Sequence, residues 1–241
     1  MRVGVVVFPG SNCDQDMVDA LSVYPGLDVR KLWHKSSDLE GCQLIVLPGG
    51  FSYGDYLRSG AIARFSPIMT EVIRFAANGG YVFGVCNGFQ ILCESHLLPG
   101  ALLHNNSHQF ICENVSLVPV STRAAITSSL RKDRSYLIPI AHGEGRYYIS
   151  AEGLEELKGN DQILFRYSSA EGETGMEFNP NGALDNITGV TNREMNVFGM
   201  MPHPERAADP ILGNTDGRLI IEGFLQNLFG EELVSLQSAS M

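Results

Sequence analysis

The chain has no long hydrophobic run and few cysteines. No apolar stretch in its 241 residues approaches the ~20 residues that a membrane-spanning helix needs, so we expect no membrane partner. The five cysteines are an odd number without a Cys-x-x-Cys pair, which argues against a disulfide framework. The chain begins directly with a strand-like run and shows no signal-peptide pattern. These features together predict a reducing, cytoplasmic location.

Positive charge is also scarce. Seventeen Lys and Arg stand against 27 Asp and Glu, which gives a net charge of −10. A protein that binds nucleic acid or an anionic membrane needs a clustered basic surface, and here the basic residues are scattered. Neither G-x-x-x-x-G-K-[ST] nor G-x-G-x-x-G occurs. The sequence therefore predicts no nucleic-acid partner and no standard phosphate-binding loop.

One segment carries a chemical signature. Residues 81–85 form an apolar run typical of a buried strand, and the apolar spacing that follows predicts a helix through to Leu97. Between the two, Cys86 has Gly84 two residues before it and Gly88 two residues after it, as the nucleophile has in a G-x-S-x-G elbow. A helix N-terminus favours the thiolate. The pattern predicts a nucleophilic Cys86 over the alternative of a buried cysteine that merely ends a strand.

The order of the other elements predicts an α/β fold. Unbroken apolar runs at Val3–Phe8 and Leu44–Leu47 are typical of parallel strands covered on both faces, and a helix over Pro67–Asn78 precedes the elbow strand. After Ser95, short β-rich segments separated by Gly, Asn and Asp turns predict a mixed or antiparallel extension. We expect an open, mostly parallel sheet with helices on both faces.

No shift in composition divides the chain. It contains no linker-like stretch, no internal repeat and no low-complexity segment. An apolar stripe predicts a last helix at Gly217–Phe229. We therefore expect a single domain over residues 1–241, with a frayed tail at about 231–241.

A glycine-rich loop follows the second apolar run. Pro48, Gly49 and Gly50 leave the carboxyl end of a buried strand, and that edge is where open α/β sheets bind ligands. Because glycine has no side chain, its backbone N–H group can approach a ligand closely and donate to an oxyanion. Alone, the loop also fits a flexible surface segment. Its position one βα unit before the cysteine elbow favours a role in binding.

His203 is the candidate general base among the six histidines. Pro202 and Pro204 fix φ on both sides and favour extended backbone, in which His203 and Glu205 point the same way. A carboxylate beside an imidazole can orient it and stabilise its charged form, as the third member of a triad does. His142, which lies in a His-Gly-Glu sequence, is the alternative base.

A metal site is not predicted. His104, His108 and Cys112 are spaced by four residues, which on a helix would align three ligands. The residues around them favour a turn followed by a strand, and these elements do not bring the three side chains together.

Several motifs together resemble a known family. Gly84–Gln90 and Met201–Arg206 are similar to the two signature segments of the class I (triad) glutamine amidotransferases. Further segments narrow the match to the glutaminase subunits of phosphoribosylformylglycinamidine synthases: Phe8–Asp14, Gly49–Arg58, Ala141–Gly145 and Asn179–Gly182. The resemblance runs from Val3 to about Phe229 and implies a flavodoxin-like sheet.

The resemblance implies a reaction and its residues. Cys86 would attack the side-chain amide of L-glutamine and form a glutamyl thioester, with release of ammonia. His203 would transfer the proton, and Glu205 would orient the imidazole.

Binding groups are implied as well. The backbone N–H groups of Asn87 and Gly50 would hold the oxyanion, with Phe51 left open as the alternative to Gly50. Gln90 would help to bind glutamine.

The same resemblance implies partners rather than a cofactor in this chain. Ammonia would pass to a synthetase subunit, which would bind ATP, Mg²⁺ and formylglycinamide ribonucleotide and form formylglycinamidine ribonucleotide in de novo purine biosynthesis. A small third subunit would complete the complex. Two alternatives remain on the residues alone: a stand-alone cysteine hydrolase or peptidase of similar fold, and a non-catalytic regulatory subunit.

Overall fold

The computed structural model describes residues 1–230, and the tail predicted to fray at about 231–241 lies outside this range. Within it, eleven strands and five helices follow one another in this order: β1 (Arg2–Val7), α1 (Asp14–Ser22), β2 (Asp28–Trp33), β3 (Leu44–Leu47), α2 (Pro67–Ala77), β4 (Tyr81–Val85), α3 (Asn87–Glu94), β5 (Ala101–Leu103), β6 (Ile111–Pro119), β7 (Tyr136–His142), β8 (Arg146–Tyr148), α4 (Ala151–Gly159), β9 (Ile163–Ser168), β10 (Ile187–Thr191), β11 (Val197–Met200) and α5 (Asp216–Phe229).

Nine of these strands form one sheet in the order β2-β1-β3-β4-β11-β10-β9-β6-β7, while β5 and β8 pair separately. The strands from β2 to β11 run parallel, and those from β11 to β7 pair antiparallel. Every residue of β3 is buried, as a parallel strand covered on both faces requires. The structure confirms the predicted α/β fold with its antiparallel extension.

Helices cover both faces of the parallel half. Phe83 and Gly84 are neighbours in β4 and therefore face opposite sides of the sheet. The ring of Phe83 lies 5.8 Å from that of Phe224 in α5. On the other side, a Cβ added to Gly84 would lie 2.5 Å from a methyl carbon of Leu92 in α3. The absence of a side chain at Gly84 thus allows α3 to lie directly on the strand.

The topology brings several loops to one edge of the sheet. Strand β1 pairs with both β2 and β3, so the connections on its two sides diverge and leave a crevice at the carboxyl ends. Val85 and Met200 are register partners in β4 and β11, which places the elbow beside the segment that follows β11. The sheet curves far enough for β7 to reach the same place, since the N–H of His203 donates to the carbonyl of Pro139 at 2.8 Å.

Two helices differ from the prediction. Helix α3 ends at Glu94 instead of Leu97, because His96 adopts a left-handed conformation with φ of 57°. The N–H of Leu97 then turns back to the carbonyl of Leu92 at 2.9 Å, the arrangement of a Schellman cap. Helix α4 was not predicted: it buries only Leu157, so its sequence carries almost no apolar periodicity.

Candidate active site

Cys86 occupies a strained turn between β4 and α3. Its φ of 49° and ψ of −107° lie in a region that side-chain-bearing residues avoid and that marks functional turns. Backbone hydrogen bonds hold Cys86 on both sides. Its N–H donates to the carbonyl of Met200 at 2.8 Å, and its carbonyl accepts from the N–H of Gln90 at 3.1 Å. A Cβ on Gly88 would lie 1.9 Å from the carbonyl oxygen of Leu47. The elbow therefore has the sharp, glycine-dependent form that its sequence predicts.

His203 and Glu205 form a buried pair behind the elbow. Nδ1 of the imidazole lies 2.6 Å from Oε1 of the carboxylate, and the two side chains are 1% and 0% exposed. The predicted route to this contact was wrong, because Glu205 lies in a 3₁₀ turn over Pro204–Ala207 and not in extended backbone. Proline suits the first position of a helical turn, and the turn brings the carboxylate back to the ring.

Charge sets the state of this imidazole. Burial by itself lowers the pKa of His203, but the nearby charges of Glu205 and Cys86 outweigh it and hold that pKa well above its usual range. Nε2, the nitrogen that Glu205 leaves free, is buried and has no hydrogen bond of ordinary geometry among the described residues. Cys86, His203 and Glu205 thus form one cluster in which the imidazolium is stabilised.

His142 reaches the same place from β7. Its Nδ1 lies 3.1 Å from Oδ1 of Asn105, and its Nε2 has no partner among the described residues. Burial, assisted by the charge on His203, lowers the pKa of His142 to about 4. Because His142 is held neutral with an amide partner, while His203 has a carboxylate, the geometry favours His203 as the general base.

A small cavity opens at Cys86. It has a volume of about 190 Å³, below the ~300–1,000 Å³ of sites for drug-sized ligands, and is suited to a single amino acid. Polar groups line it, among them Asp55, Gln90 and Glu144. Burial raises the pKa of Asp55 to about 6, a hydrogen bond with Ser59 opposes that rise, and the charge of Glu144 adds to it.

A larger concavity lies elsewhere. It measures about 820 Å³ and is bordered by Gly79, His96, Asn196 and Val197. These residues adjoin the amino ends of β4 and β11, the edge opposite to the elbow. Its walls include neither Cys86 nor His203, so size alone does not identify the site.

The glycine loop supplies backbone N–H groups beside the cavity. Gly50 has φ of +127°, and a Cβ there would lie 2.7 Å from the backbone nitrogen of Asn12, so the position requires glycine. The N–H of Phe51 is engaged with the carbonyl of Gly10 at 3.1 Å. Gly50 donates no such bond within the described chain. Of the two residues left open by the sequence, Gly50 therefore has the available donor.

Asn87 is the first residue of α3, where backbone N–H groups have no partner within the helix. The side chain of Gln90, one turn on, is fixed at both ends. Its Nε2 donates to the carbonyl of Glu144 at 2.6 Å, and its Oε1 accepts from Nδ2 of Asn87 at 2.9 Å. Both residues lie directly beside Cys86, and Gln90 forms part of the cavity wall.

Comparisons with known proteins identify the family of this chain. The sequence matches the CobB/CobQ-like glutamine amidotransferase domain over residues 1–229. It is 54% identical over 230 residues to phosphoribosylformylglycinamidine synthase subunit PurQ of Chlorobium chlorochromatii, which covers 95% of this chain and 98% of that protein. The chain belongs to the PurQ family of glutamine amidotransferases.

Other PurQ proteins show the same extent of similarity. PurQ of Moorella thermoacetica is 54% identical over 221 residues, which are 92% of this chain and 94% of that protein. The solved structure of PurLQS from Thermotoga maritima contains a chain that is 41% identical, superposes with a TM-score of 0.83 and covers 94% of this chain and 98% of its own length. The PurQ fold thus extends over nearly the whole chain.

The histidines and cysteine of the rejected metal site do not converge in this PurQ-family chain. The rings of His104 and His108 are tilted against each other with centroids 5.9 Å apart, while Cys112 is exposed on β6. In the part of the chain that the structure describes, no three side chains of ligand type could hold a metal ion together. Within the same range, no helix has the length and apolar character to span a membrane.

Asn105 supports His142 beside the cavity, and the sequence did not predict this role. It is fully buried, and its Oδ1 lies 3.1 Å from His142 Nδ1 and accepts from the N–H of Gly145 at 3.1 Å. Its local sequence, Asn105-Asn106-Ser107, indicates only a turn. No local signal could have assigned it to the site, because its partners lie about forty residues away.

Proposed function

We propose that this chain is a glutaminase subunit that hydrolyses L-glutamine to glutamate and ammonia and supplies the ammonia to a partner synthetase. The observation that carries the proposal is the buried Cys86–His203–Glu205 cluster beside a cavity sized for one amino acid. The relatives named as subunits of phosphoribosylformylglycinamidine synthase support the choice of pathway.

The first half of the reaction forms a thioester. Cys86 Sγ attacks the side-chain amide carbon of glutamine, and the carbonyl oxygen becomes an oxyanion that accepts hydrogen bonds from the N–H groups of Gly50 and Asn87. His203 carries the thiol proton and donates it to the departing nitrogen. Collapse of the intermediate breaks the C–N bond, releases ammonia and leaves a glutamyl thioester on Cys86.

The second half hydrolyses that thioester. His203, now neutral, removes a proton from water, the resulting hydroxide adds to the thioester carbonyl, and the same N–H groups hold the new oxyanion. Expulsion of the sulfur regenerates Cys86 and releases glutamate. Glu205 fixes the ring through Nδ1, so that Nε2 is the nitrogen that exchanges protons.

Gln90 holds the substrate in this scheme. Its amide is anchored by Glu144 and Asn87 and forms a fixed part of the cavity wall. A rigid polar wall favours one orientation of the glutamine side chain, which is what attack at a single carbon requires.

The partner completes the reaction. The ammonia reacts on a synthetase subunit that binds ATP, Mg²⁺ and formylglycinamide ribonucleotide and yields formylglycinamidine ribonucleotide, with a small third subunit in the complex. The structure of PurLQS, which contains a similar chain, supports an assembly of this kind. The complex acts in the cytoplasm in this proposal.

The decisive experiment measures glutamate release from glutamine by the chain alone and after addition of synthetase subunit, ATP and acceptor. We expect the rate of glutamate release to rise strongly when the partner is added. The Cys86→Ala variant should still assemble with the partner but should release no glutamate. Undiminished glutaminase activity in Cys86→Ala would overturn the proposal. Rapid turnover of peptides or esters without any partner would favour the stand-alone hydrolase, and a complex that never releases glutamate would favour the non-catalytic subunit.

A further inference from the structure

The side chain of Asn87 lies at the junction of three parts of the site. It is fully buried at 0% exposure. Its Oδ1 accepts from the backbone N–H of Ser52 at 3.1 Å, and its Nδ2 donates to Oε1 of Gln90 at 2.9 Å and to Oδ1 of Asp55 at 3.3 Å. An amide has two donor hydrogens and one acceptor oxygen, and here all of them are in use.

The loop held by Asn87 needs external support. Tyr53, Asp55 and Leu57 have φ of 54°, 53° and 73°, a left-handed conformation that is unfavourable for residues with side chains and that persists only where surrounding contacts enforce it. Contacts with the segment after β1 provide one support, since the N–H of Tyr53 donates to the carbonyl of Pro9 at 2.6 Å. Asn87 provides another, and it joins the loop directly to the elbow.

Ser52 lies two residues after Gly50, the candidate oxyanion donor of this loop. The second candidate donor is the backbone N–H of Asn87 itself. The side chain of Asn87 thus ties the segment that carries one donor to the residue that carries the other, and its bond to Gln90 adds the cavity wall to the same unit.

We infer that the side chain of Asn87 is a positioning residue for glutamine hydrolysis, because it holds the Gly50 segment and Gln90 in register with the elbow so that both N–H donors meet one oxyanion. The inference rests on the proposed glutaminase function and deepens it. The backbone of Asn87 touches the reacting oxygen, while its side chain acts only through Ser52, Asp55 and Gln90.

The environment of Asp55 supports this role. Burial makes the ionised carboxyl unfavourable and raises the pKa of Asp55 to about 6, Ser59 opposes that rise, and the charge of Glu144 adds to it. Nδ2 of Asn87 therefore donates to a carboxylate that has few compensating partners. Loss of this donor would leave the Asp55 carboxylate with one hydrogen-bond partner fewer.

The test compares Asn87→Leu, which has similar size but no hydrogen-bonding group, with the wild-type chain. Misalignment of oxyanion donors predicts a fall in kcat for glutamate release of about 10- to 100-fold. Alkylation of Cys86 by iodoacetamide passes through no oxyanion, so its rate should stay within about threefold of wild type. A merely structural role would not separate these two rates.

Asn196→Leu is the matched control. Asn196 is also buried and ties two segments together, since its Nδ2 donates to the carbonyls of Ala76 and Gly80, both at 2.8 Å. It lies just before β11, at the edge of the sheet opposite to the elbow. Its variant should lose stability but keep its kcat.

A swap keeps the inference testable if Asn87→Leu does not fold. Asn87→Asp retains the acceptor for Ser52 but removes the donor to Gln90 and sets two carboxyl groups against each other at Asp55, and should lower kcat. Adding Asp55→Asn restores a donor and acceptor pair at the Asp55 contact alone, so recovery should be partial but at least about threefold in kcat.

Four results decide between the claims. A kcat within about threefold of wild type in Asn87→Leu, or equal losses of turnover and alkylation in that variant, would overturn the positioning role. No recovery in the swap would overturn it too. Glutamine hydrolysis that survives in Cys86→Ala would instead overturn the proposed function.

Discussion

Gly49 is the point at which the glycine loop touches the imidazole of His203. Its φ lies outside the left-handed range, so alanine can adopt the backbone conformation. A Cβ at Gly49 would, however, lie 2.6 Å from Cε1 of His203 and 3.3 Å from its Nδ1. Carbon atoms pack at about 3.5–4.0 Å, so the ring or the loop has to retreat by roughly 1 Å.

The ring has little room for this movement. Glu205 holds Nδ1 at 2.6 Å, and the backbone N–H of His203 is bonded to Pro139 at 2.8 Å. A misplacement of about 1 Å in a catalytic group costs on the order of 100-fold in rate. Overpacking of this kind lowers the free energy of unfolding by only about 1–3 kcal/mol. We therefore expect Gly49→Ala to remain folded and to lose about 100-fold in kcat.

The assay is glutamate release at saturating glutamine in the complex with the synthetase subunit, together with urea unfolding of the chain. Gly159→Ala is the control, because a Cβ at Gly159 meets nothing within 4 Å, and its kcat should not change. A wild-type kcat in Gly49→Ala would refute the placement of His203 against the loop. An equal loss in Gly159→Ala would show that the assay responds to any substitution.

Three further predictions concern single groups. Glu205→Gln removes a charge that raises the pKa of His203, so that pKa should fall in an NMR titration and kcat should drop by about 10²–10⁴-fold; an unchanged pKa would contradict the pairing. Folding lowers the pKa of His142 from 6.5 to about 4. The neutral imidazole therefore contributes its full stabilisation above pH 6.5, the pKa of the unfolded state, and this contribution is lost as the pH falls through the pKa of the folded state. Wild type should therefore lose up to about 3 kcal/mol relative to His142→Gln between pH 6.5 and 4 in urea unfolding, and equal pH slopes would refute this. Gly88→Ala places a Cβ 1.9 Å from the carbonyl of Leu47 and should lower the thermal midpoint measured by circular dichroism, whereas an unchanged midpoint would contradict the tight elbow.

The elbow could be predicted from sequence because its determinants are local. Cys86 lies between an apolar strand and a helix, and the glycines two residues to either side leave the space that the turn needs. The parallel half of the sheet could be predicted for the same reason, since fully buried strands such as β3 are unbroken apolar runs. In each case the residues that determine the structure are adjacent in the chain.

The contacts within the site could not be predicted, because they join distant parts of the chain. Asn87 bonds to Ser52 across 35 residues, and Asn105 bonds to His142 across 37. Nothing in the sequence next to Asn87 or Asn105 indicates which distant residue its side chain contacts. The pairing of His203 with Glu205 was predicted, but the prediction relied on an extended backbone. A 3₁₀ turn brings the two side chains together instead. This turn depends on Pro204 and on burial against α5, and the local sequence pattern does not reveal that burial.

The most direct test of the central claim is covalent labelling of the chain, in its complex, by 6-diazo-5-oxo-L-norleucine, a reactive analogue of glutamine. Mass spectrometry of the digested protein should show one adduct, on the peptide that contains Cys86, and excess glutamine should prevent it. The exposed Cys112 should remain unlabelled, and Cys86→Ala should take up no label. Labelling at Cys112 without labelling at Cys86, or undiminished uptake by Cys86→Ala, would contradict the assignment of Cys86 as the nucleophile of a glutaminase.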